Sequence, residues 1–441
     1  MIRSVIQIPL RCAAVAMIAL MAAIPAHALD IQQVTSPGGL KAWLVEAHDI
    51  PFTALEIRFR GGASLDAPQK RGEINLMTAT LEEGSADYDS QGFAAAQEML
   101  AAKFGFDVDD DTLSVSARML TENRDKATDL LRGALTDPHF DQASVDRVRG
   151  QVLSIIASEA KDPGATAAQT FRKIAYGDQP YGSSLNGTTD SVKALTREDM
   201  FDAKARVMAR DRMVISAVGD ITPEQLGLML DRLLGGLPAT GAPMPAPVTP
   251  ALTGGVTVVP FETPQSVVIF GQPGIALNDP DFFPAYVLNQ ILGAGGFSSR
   301  LMEEVREKRG LTYGIYTYLV TRDLANTWQG SFASANEKVA EAVKITQTEW
   351  AKAATGAVTD KELNDAKTYL TGAYPLRFDG NANIADILAG MQLNGMGVDY
   401  INTRNDQVNA VTREDVARVA KRLMDPSGLR FIVVGKPIGL N

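Results

Sequence analysis

The chain has 441 residues, 42 basic and 52 acidic side chains, and a formal charge of −10 at pH 7. This acidic balance argues against binding to nucleic acid, which requires a basic surface. The length argues against one domain, because single domains usually hold about 100 to 200 residues. We therefore expect at least two domains.

Residues 1–28 have the pattern of a cleavable secretory signal peptide. Arg3 and Arg11 precede an apolar run at residues 13–24, and small residues at 26 and 28 form a cleavage signal. The apolar run is shorter than the roughly 20 residues that a permanent transmembrane helix needs. We therefore expect an exported, periplasmic protein without a membrane anchor. Its mature chain has no cysteine, which excludes disulfides and thiol chemistry.

Strand and helix patterns alternate irregularly along the mature chain. Leu55, Ile57 and Phe59 alternate with charged residues, which predicts a strand with one buried face. Capping residues predict helix starts at Ser90, Asp141, Thr222, Asn336 and Thr359. This order of elements predicts the α+β class, with mostly antiparallel sheets covered by helices.

An internal repeat divides the mature chain into two matching parts. The 25 residues that begin TREDM at Thr196 align without a gap with the 25 that begin TREDV at Thr412, at a constant offset of 216. Each copy has the pattern of a capped helix followed by a strand that ends at a glycine. Two homologous domains are therefore predicted, at residues 29–234 and 256–441. The proline- and glycine-rich segment between them, residues 235–255, is predicted to be a linker.

Several strings in this frame resemble the M16 peptidase family, the zinc inverzincins that include pitrilysin, insulysin and mitochondrial processing peptidase. They are QPYGSSLNGT at residues 179–188, ILGAGGFSSRLMEEVREKRGLTY at residues 291–313, and the strand ends VGD and VGK at residues 218–220 and 434–436. The resemblance extends over the whole mature chain and indicates a short, two-domain member. It implies a family function in peptide hydrolysis.

The stretch RGEINLMTATLEEGS, residues 71–85, lies in the place of the family's zinc-binding helix. Active members carry H-x-x-E-H there, with two histidine ligands, a glutamate as general base, and a third glutamate ligand about 75 residues downstream. Placed in this frame, the first ligand, base, second ligand and third ligand positions fall on Asn75, Thr78, Ala79 and Ile155. A catalytic zinc needs three N, S or carboxylate ligands, so we expect no metal on this chain. Without the resemblance, the stretch is simply predicted as an amphipathic helix.

The mature chain has only two histidines, because His27 lies in the predicted signal peptide. His48 and His139 are far apart in sequence and match no metal-ligand spacing, so we expect both to be exposed or locally hydrogen-bonded. A zinc peptidase that works by itself is therefore the least favoured function for this polypeptide.

The segment REKRGLTY, from Arg306 to Tyr313, resembles the family segment in which an arginine and a tyrosine hydrogen-bond the carbonyl oxygen of the substrate. The resemblance places these two roles on Arg306 and Tyr313. Arg306 is predicted to lie on a helix capped by Ser298 or Ser299, and Tyr313 early on the next strand. The alternative is that Arg306 pairs with Glu303 or Glu307 on a solvated face while Tyr313 packs in the sheet.

The resemblance also implies a partner. Short two-domain members of the family often work as pairs, in which one subunit brings H-x-x-E-H and zinc and the other brings the arginine and tyrosine. We therefore expect a non-catalytic, peptide-binding subunit that supplies Arg306 and Tyr313 in trans to a zinc site on a partner subunit. The alternative is a catalytically inert scaffold or peptide-binding module with the same fold.

Overall fold

The computed structural model describes residues 29–440, so the predicted signal peptide lies outside the described residues. The strands are β1 (Gln32–Thr35), β2 (Lys41–Glu46), β3 (Phe52–Arg60), β4 (Gly84–Ser85), β5 (Tyr88–Asp89), β6 (Lys103–Val108), β7 (Thr112–Leu120), β8 (Met213–Gly219), β9 (Gly255–Pro260), β10 (Gln265–Pro273), β11 (Ile315–Thr321), β12 (Asn326–Ala335) and β13 (Arg430–Gly435).

The helices vary from 6 to 18 residues in length. They are α1 (Glu73–Thr78), α2 (Ser90–Met99), α3 (Arg124–Thr136), α4 (Gln142–Glu159), α5 (Pro163–Tyr176), α6 (Thr189–Ala194), α7 (Arg197–Val207), α8 (Pro223–Leu234), α9 (Phe282–Asn289), α10 (Val339–Ala354), α11 (Asp360–Ala373), α12 (Asn381–Leu393), α13 (Tyr400–Ala410) and α14 (Arg413–Leu423). Two π-helical segments are Gln290–Ala294 and Met302–Glu307. Between residues 29 and 440, no helix is both long enough and apolar enough to cross a membrane.

The strands of each half form one main sheet, and the two sheets have the same strand order. The N-terminal sheet has the order β1-β2-β8-β3-β7-β6, and the C-terminal sheet has the order β9-β13-β10-β12-β11, which repeats the first from β2 onward. The neighbouring strands are antiparallel except for the parallel pairs β2/β8 and β9/β13. The prediction of α+β domains with mostly antiparallel sheets is therefore confirmed.

The sequence repeat corresponds to helix α7 with strand β8 and to helix α14 with strand β13. In each copy a threonine, Thr196 or Thr412, accepts a hydrogen bond from the backbone N–H three residues ahead. The aspartate there, Asp199 or Asp415, accepts one from the backbone N–H of the threonine. Both copies thus close a capping box. β8 and β13 then take equivalent places in their sheets.

The predicted helix starts are partly correct. Thr222 and Thr359 close capping boxes at α8 and α11, and Asp141 lies at the N-cap of α4, although its side chain accepts no capping hydrogen bond. Two predicted starts are shifted. At α2 the cap is Asp89, whose carboxylate accepts the N–H of Gly92, and at α10 the N-cap position is Lys338.

The predicted caps Ser90 and Asn336 have other partners in the structure. The Ser90 hydroxyl donates to Glu83 at 2.6 Å. The amide oxygen of Asn336 accepts the Ser266 hydroxyl at 2.7 Å, which ties the end of β12 to the start of β10. Both polar side chains therefore serve contacts with other segments instead of capping their own helices.

A reciprocal exchange of helices holds the two halves together. Helix α5, from the N-terminal half, packs against β10 and β13 of the C-terminal sheet, where Phe171 and Tyr176 join an apolar cluster with Ile432 and Val434. Helix α12, from the C-terminal half, packs against β3 and β8 of the N-terminal sheet. The opposite faces of the sheets carry the two main cores. Each sheet is therefore covered by helices of its own half on one face and by a helix of the other half on the other.

Candidate functional site

Helix α1, in the place of the family's zinc helix, is short and firmly packed. Its N-terminus is fixed by Asp66, whose carboxylate accepts the backbone N–H groups of Gly72 at 2.8 Å and Ile74 at 2.9 Å. Gly72 has a φ of 96°, which favours glycine at this position. Leu76 and Met77 are completely buried in the N-terminal core. The helix is thus held by apolar contacts and one carboxylate cap.

Of the three motif positions predicted at α1, Asn75 and Thr78 have side chains that hydrogen-bond to protein groups. Asn75 Nδ2 donates to Asn186 Oδ1 at 3.0 Å, and Asn186 Nδ2 donates to Glu159 Oε1 at 2.7 Å. Thr78 Oγ1 donates to a backbone carbonyl oxygen one turn back at 2.7 Å, and Ala79 offers only a methyl group. A chain of two amides and one carboxylate therefore links α1 to the end of α4. Amides and one carboxylate do not fit a catalytic zinc.

The predicted third ligand position, Ile155, lies on α4. Its side chain is 48% exposed, and Ala79 at the predicted second ligand position is also exposed, so neither belongs to the apolar core. The core-facing side of α4 carries Val148, Val152 and Ile156 instead. A sec-butyl and a methyl group offer no lone pair to a metal ion.

The histidines lie outside this region. His48 Nδ1 is 2.7 Å from a carboxylate oxygen of Asp220, and His139 Nε2 is 2.7 Å from the carbonyl oxygen of Ala86. Hydrogen bonds to Asp220 and Glu46 raise the pKa of His48. In residues 29–440 no three His, Cys, Asp or Glu side chains are placed to hold a metal ion.

Arg306 and Tyr313 line one open groove of about 440 Å³ at the end of the C-terminal sheet. Arg306 lies in the π-helical segment Met302–Glu307, and Tyr313 lies in the loop just before β11 instead of on the strand. Ser298 and Ser299 do not cap this segment, since their hydroxyls donate to backbone carbonyl oxygens three residues back. The fold thus brings the two predicted residues to one surface.

Arg306 has protein partners, whereas Tyr313 is left open. The Arg306 guanidinium donates to the carboxylate of Glu307, and its carbon lies 4.6 Å from the ring centroid of Phe297. One half of the alternative prediction is therefore correct, because Arg306 does pair with a neighbouring glutamate. The other half is wrong, because Tyr313 is 87% exposed and does not pack in the sheet.

The groove lies next to an edge strand with exposed tyrosines. β11 pairs with β12 on one side only, so it is an edge strand of the C-terminal sheet. Tyr316 and Tyr318 on this strand are exposed like Tyr313. In the N-terminal half, the equivalent edge strand is β6, which contacts α1. Both edges have the geometry that an extended peptide needs for main-chain pairing.

A buried ion network that the sequence did not reveal joins the two halves near α1. Asp110 lies in the turn between β6 and β7, and its side chain is 4% exposed. It pairs with Arg71 at 2.9 Å, with Arg172, and with Arg322 of the C-terminal half. Burial by itself would raise the pKa of Asp110, but the three guanidinium groups hold it below its ordinary value. These residues come from four separate segments, so no sequence spacing could have indicated them.

Comparison with known proteins agrees with this geometry. Residues 42–189 match the family model described as Insulinase (Peptidase family M16), and residues 194–370 match the one described as Peptidase M16 inactive domain. The non-peptidase homolog YmxG of Helicobacter pylori is 25% identical over 391 residues, which cover 88% of this chain and 90% of that protein. An uncharacterized zinc protease of Streptomyces coelicolor is 26% identical over 89% of this chain and 87% of its own.

A solved structure gives the same result. The crystal structure of a peptidase M16 inactive domain from Pseudomonas fluorescens has a TM-score of 0.87 and 28% identity, and the match covers 94% of this chain and 99% of that one. Both family models and this structure place the two halves in one family. The side chains of Asn75, Thr78 and Ala79 are not those of the family's H-x-x-E-H motif. The chain therefore belongs to the M16 peptidase family, as an inactive homologue without the zinc-binding motif.

Proposed function

We propose that this chain is the non-catalytic, substrate-binding subunit of an exported heterodimeric M16 peptidase. In this proposal Arg306 and Tyr313 complete an active site whose zinc is held by the H-x-x-E-H helix of a partner subunit. The observation that carries the proposal is the open groove shared by Arg306 and Tyr313, in a chain whose own α1 has no set of metal ligands.

The two side chains suit the chemistry of peptide hydrolysis. Attack on a peptide carbonyl builds negative charge on its oxygen, and a guanidinium with a phenol supplies directed hydrogen-bond donors to that charge. When substrate binds, Arg306 releases its hydrogen bond to Glu307 and donates to the substrate oxygen instead. The side chain of Tyr313 is already exposed. One well-placed donor stabilises such a transition state by about 3 kcal/mol, or roughly a hundredfold in rate.

The substrate class that fits is an extended, unfolded peptide. The edges of β11 and β6 offer main-chain hydrogen bonds, which recognise a backbone without selecting a particular sequence. The signal-peptide pattern of residues 1–28 supports the periplasm as the compartment in which the pair works.

A second candidate is a catalytically inert scaffold or peptide-binding module. It is favoured by the partners of Arg306, because a guanidinium that is paired with Glu307 and packed over Phe297 already has a structural role. In this case the groove binds peptides or another subunit without contributing to hydrolysis.

The experiment that decides between the two is reconstitution. The purified chain is mixed with a two-domain M16 subunit that carries H-x-x-E-H, encoded beside it in the same genome, and cleavage of a casein-derived peptide is followed. We expect no cleavage and no bound zinc for this chain alone, and chelator-sensitive cleavage for the mixture.

Variants then test the roles of the two residues. In the mixture, Arg306→Gln and Tyr313→Phe are each expected to reduce kcat about a hundredfold without affecting assembly, which gel filtration measures. Tyr369→Phe and Arg309→Gln change an exposed tyrosine and an exposed arginine outside the groove and are the matched controls, with kcat unchanged. Full activity of the Arg306 and Tyr313 variants would leave the scaffold as the function, and cleavage by this chain alone would exclude both candidates.

A further inference from the structure

A separate pocket of about 320 Å³ lies where the two halves meet, beside α12. Its walls are formed by aromatic rings from α9, from the segment between α11 and α12, and from α13, namely Phe282, Phe283, Tyr286, Tyr374, Phe378 and Tyr400. Arg58 of β3 contributes a wall from the N-terminal half. The pocket shares no residue with the Arg306 groove, and its size suits a small ring-bearing group.

Arg404 is a buried cation in this pocket. It is 5% exposed, and its guanidinium donates to the Leu370 carbonyl oxygen at 2.7 Å and to the side chain of Asn405 at 3.0 Å. The guanidinium carbon lies 4.6 Å from the ring centroid of Tyr374 and 5.6 Å from that of Tyr286. In the part of the chain that the structure describes, no carboxylate forms an ion pair with Arg404. Buried charges in proteins are normally paired with an opposite charge, so we expect the Arg404 guanidinium to bind an anion.

The other charged residues that line the pocket also leave an excess of positive charge. Three arginines line it, Arg58, Arg377 and Arg404, against one carboxylate among the lining residues, Asp386. Arg58 and Asp386 form an ion pair across the two halves, so they neutralise each other. Arg377 is exposed. Two guanidinium groups, those of Arg377 and Arg404, therefore remain for an anionic ligand in a protein that is acidic overall.

The tyrosines at the pocket add neutral donors. Burial raises the pKa of Tyr374 and of Tyr400, so both hydroxyls stay protonated at neutral pH. Rings and hydroxyls together present apolar faces and polar tips to a ligand. An inorganic anion would use the arginines and leave the ring faces uncovered, whereas a ligand that carries both a ring and an anion uses the whole pocket.

We propose that this pocket binds an aromatic carboxylate, which is either a free aromatic acid or the C-terminal aromatic residue of a peptide. The carboxylate pairs with Arg377 and Arg404, and the aromatic ring packs among Tyr286, Tyr374 and Tyr400. Binding is a property of this chain by itself and requires neither a partner subunit nor Arg306, so the outcome is independent of the proposed function.

The test is calorimetric titration of the purified chain with matched ligands. N-acetyl-L-phenylalanine is compared with N-acetyl-L-phenylalaninamide, which lacks the charge, and with N-acetylglycine, which lacks the ring. We expect the acid to bind at least about tenfold more tightly than either control, since charge-assisted bonds and ring contacts are each lost in one of them. A pentapeptide ending in phenylalanine is titrated beside its amidated form, and a preference for the free-acid peptide over N-acetyl-L-phenylalanine identifies a peptide C-terminus as the source.

Variants locate the site. Arg377→Gln changes an exposed side chain, so the fold is retained, and we expect the affinity for N-acetyl-L-phenylalanine to fall about tenfold. Arg404→Lys keeps the charge but loses the planar fork and is expected to weaken binding similarly. Should Arg404→Lys not fold, Met396→Trp, which fills the pocket from its half-buried rim, replaces it with the same expected loss. Arg132→Gln, at an exposed arginine of α3, is the matched control.

Three results would overturn the proposal. They are no saturable binding of any of these ligands, equal affinities for the acid and its amide, or unchanged affinity in Arg377→Gln together with unchanged affinity in the second pocket variant.

Discussion

The two reciprocal helix–sheet contacts of this protein differ in chemistry, although they derive from one duplicated unit. On the C-terminal sheet, α5 closes an apolar cluster with Phe171, Ile432 and Val434. On the N-terminal sheet, α12 meets a strand that carries Glu56 and Arg58, and the aromatic pocket opens beside this contact. The first contact is therefore apolar. The second, the polar contact, adds the Arg58–Asp386 ion pair to an apolar cluster of its own and borders a cavity.

The strand registers show how the difference arose at single positions. When β3 and β10 are aligned through their partners β8 and β13, Glu56 corresponds to Ile269, and Arg58 corresponds to Gly271. A Cβ placed on Gly271 would lie 3.0 Å from the ring of Phe171, so the absence of a side chain there makes room for the aromatic ring. A small residue on the sheet thus permits a large one on the helix.

The N-terminal contact reverses this arrangement. The large side chain, Arg58, is on the sheet, and the helix contributes Gly390, whose Cβ position lies 3.5 Å from the guanidinium. The arginine pairs with Asp386 of the same helix and also lines the aromatic pocket. Exchanging a large and a small residue between sheet and helix therefore adds an ion pair to an apolar contact without changing the backbone architecture.

The largest expected effect comes from breaking the apolar contact. Phe171→Ala should reduce the free energy of unfolding by about 4 kcal/mol, because the ring is 2% exposed and Gly271 cannot fill the cavity that it leaves. Leu388→Ala at the polar contact, where Leu388 is fully buried on α12, should cost about 3 kcal/mol. Urea unfolding measures both. A larger loss for Leu388→Ala would contradict the ranking of the two contacts.

The next largest effect is expected in the Asp110 ion network, which joins the two halves near α1. Asp110→Asn leaves the guanidinium groups of Arg71, Arg172 and Arg322 without their shared counter-charge, so we expect a loss of about 3 kcal/mol in the free energy of unfolding. Asp107→Asn, at an exposed aspartate of β6, is the control and should change stability by less than about 0.5 kcal/mol. Equal effects of the two substitutions would show that Asp110 does not join the halves.

Glu56 gives the polar contact a pH dependence that Ile269 cannot give the apolar one. Burial, reinforced by the Asp386 carboxylate, raises the pKa of Glu56 to about 7, from 4.5 for an unperturbed glutamate. The folded state therefore binds a proton that the unfolded state releases between pH 4.5 and 7. The contribution of Glu56 to stability falls as the pH rises through this window.

Glu56→Gln tests this assignment. The substitution should increase the free energy of unfolding by about 3 kcal/mol at pH 8 and change it little at pH 5, because glutamine carries no charge to be buried. Urea unfolding at the two pH values provides the measurement, with Ile269→Val as a control whose small loss is the same at both. A gain of equal size at pH 5 and pH 8 would argue against a titrating Glu56.

Local elements and the duplication could be predicted from the sequence, because they depend on residues close together in the chain. The threonine caps of α8 and α11, the strand around Ile57 and the repeat at Thr196 and Thr412 are examples. The prediction that this strand has a single buried face is wrong, because α12 covers its other face and leaves Glu56 only 8% exposed. Nothing in the sequences of α5 and α12 indicates which sheet either helix covers. The exchange of helices was therefore beyond the reach of the sequence.

The candidate site shows the same limit. The family resemblance identified Arg306 and Tyr313, and the structure brings them to one groove, but their side-chain surroundings came only from the fold. The link from Asn75 through Asn186 to Glu159 joins three distant segments, and the exposure of Ile155 depends on how α4 is rotated against the core. Arg404 gave no signal in sequence, since an arginine on a polar helix is ordinarily solvated.

The smallest effect is expected at the capping boxes of Thr196 and Thr412, a feature that the two halves share. Thr196→Ala and Thr412→Ala each remove one side-chain acceptor of a capping box, so each should reduce the free energy of unfolding by about 1 kcal/mol. The partner Asp199 is buried and also pairs with Lys70, whereas Asp415 pairs with the exposed Arg418. Asp199→Ala should therefore cost more than Asp415→Ala in the same urea titrations, and equal losses would show that the duplicated caps kept the same energetics in both surroundings.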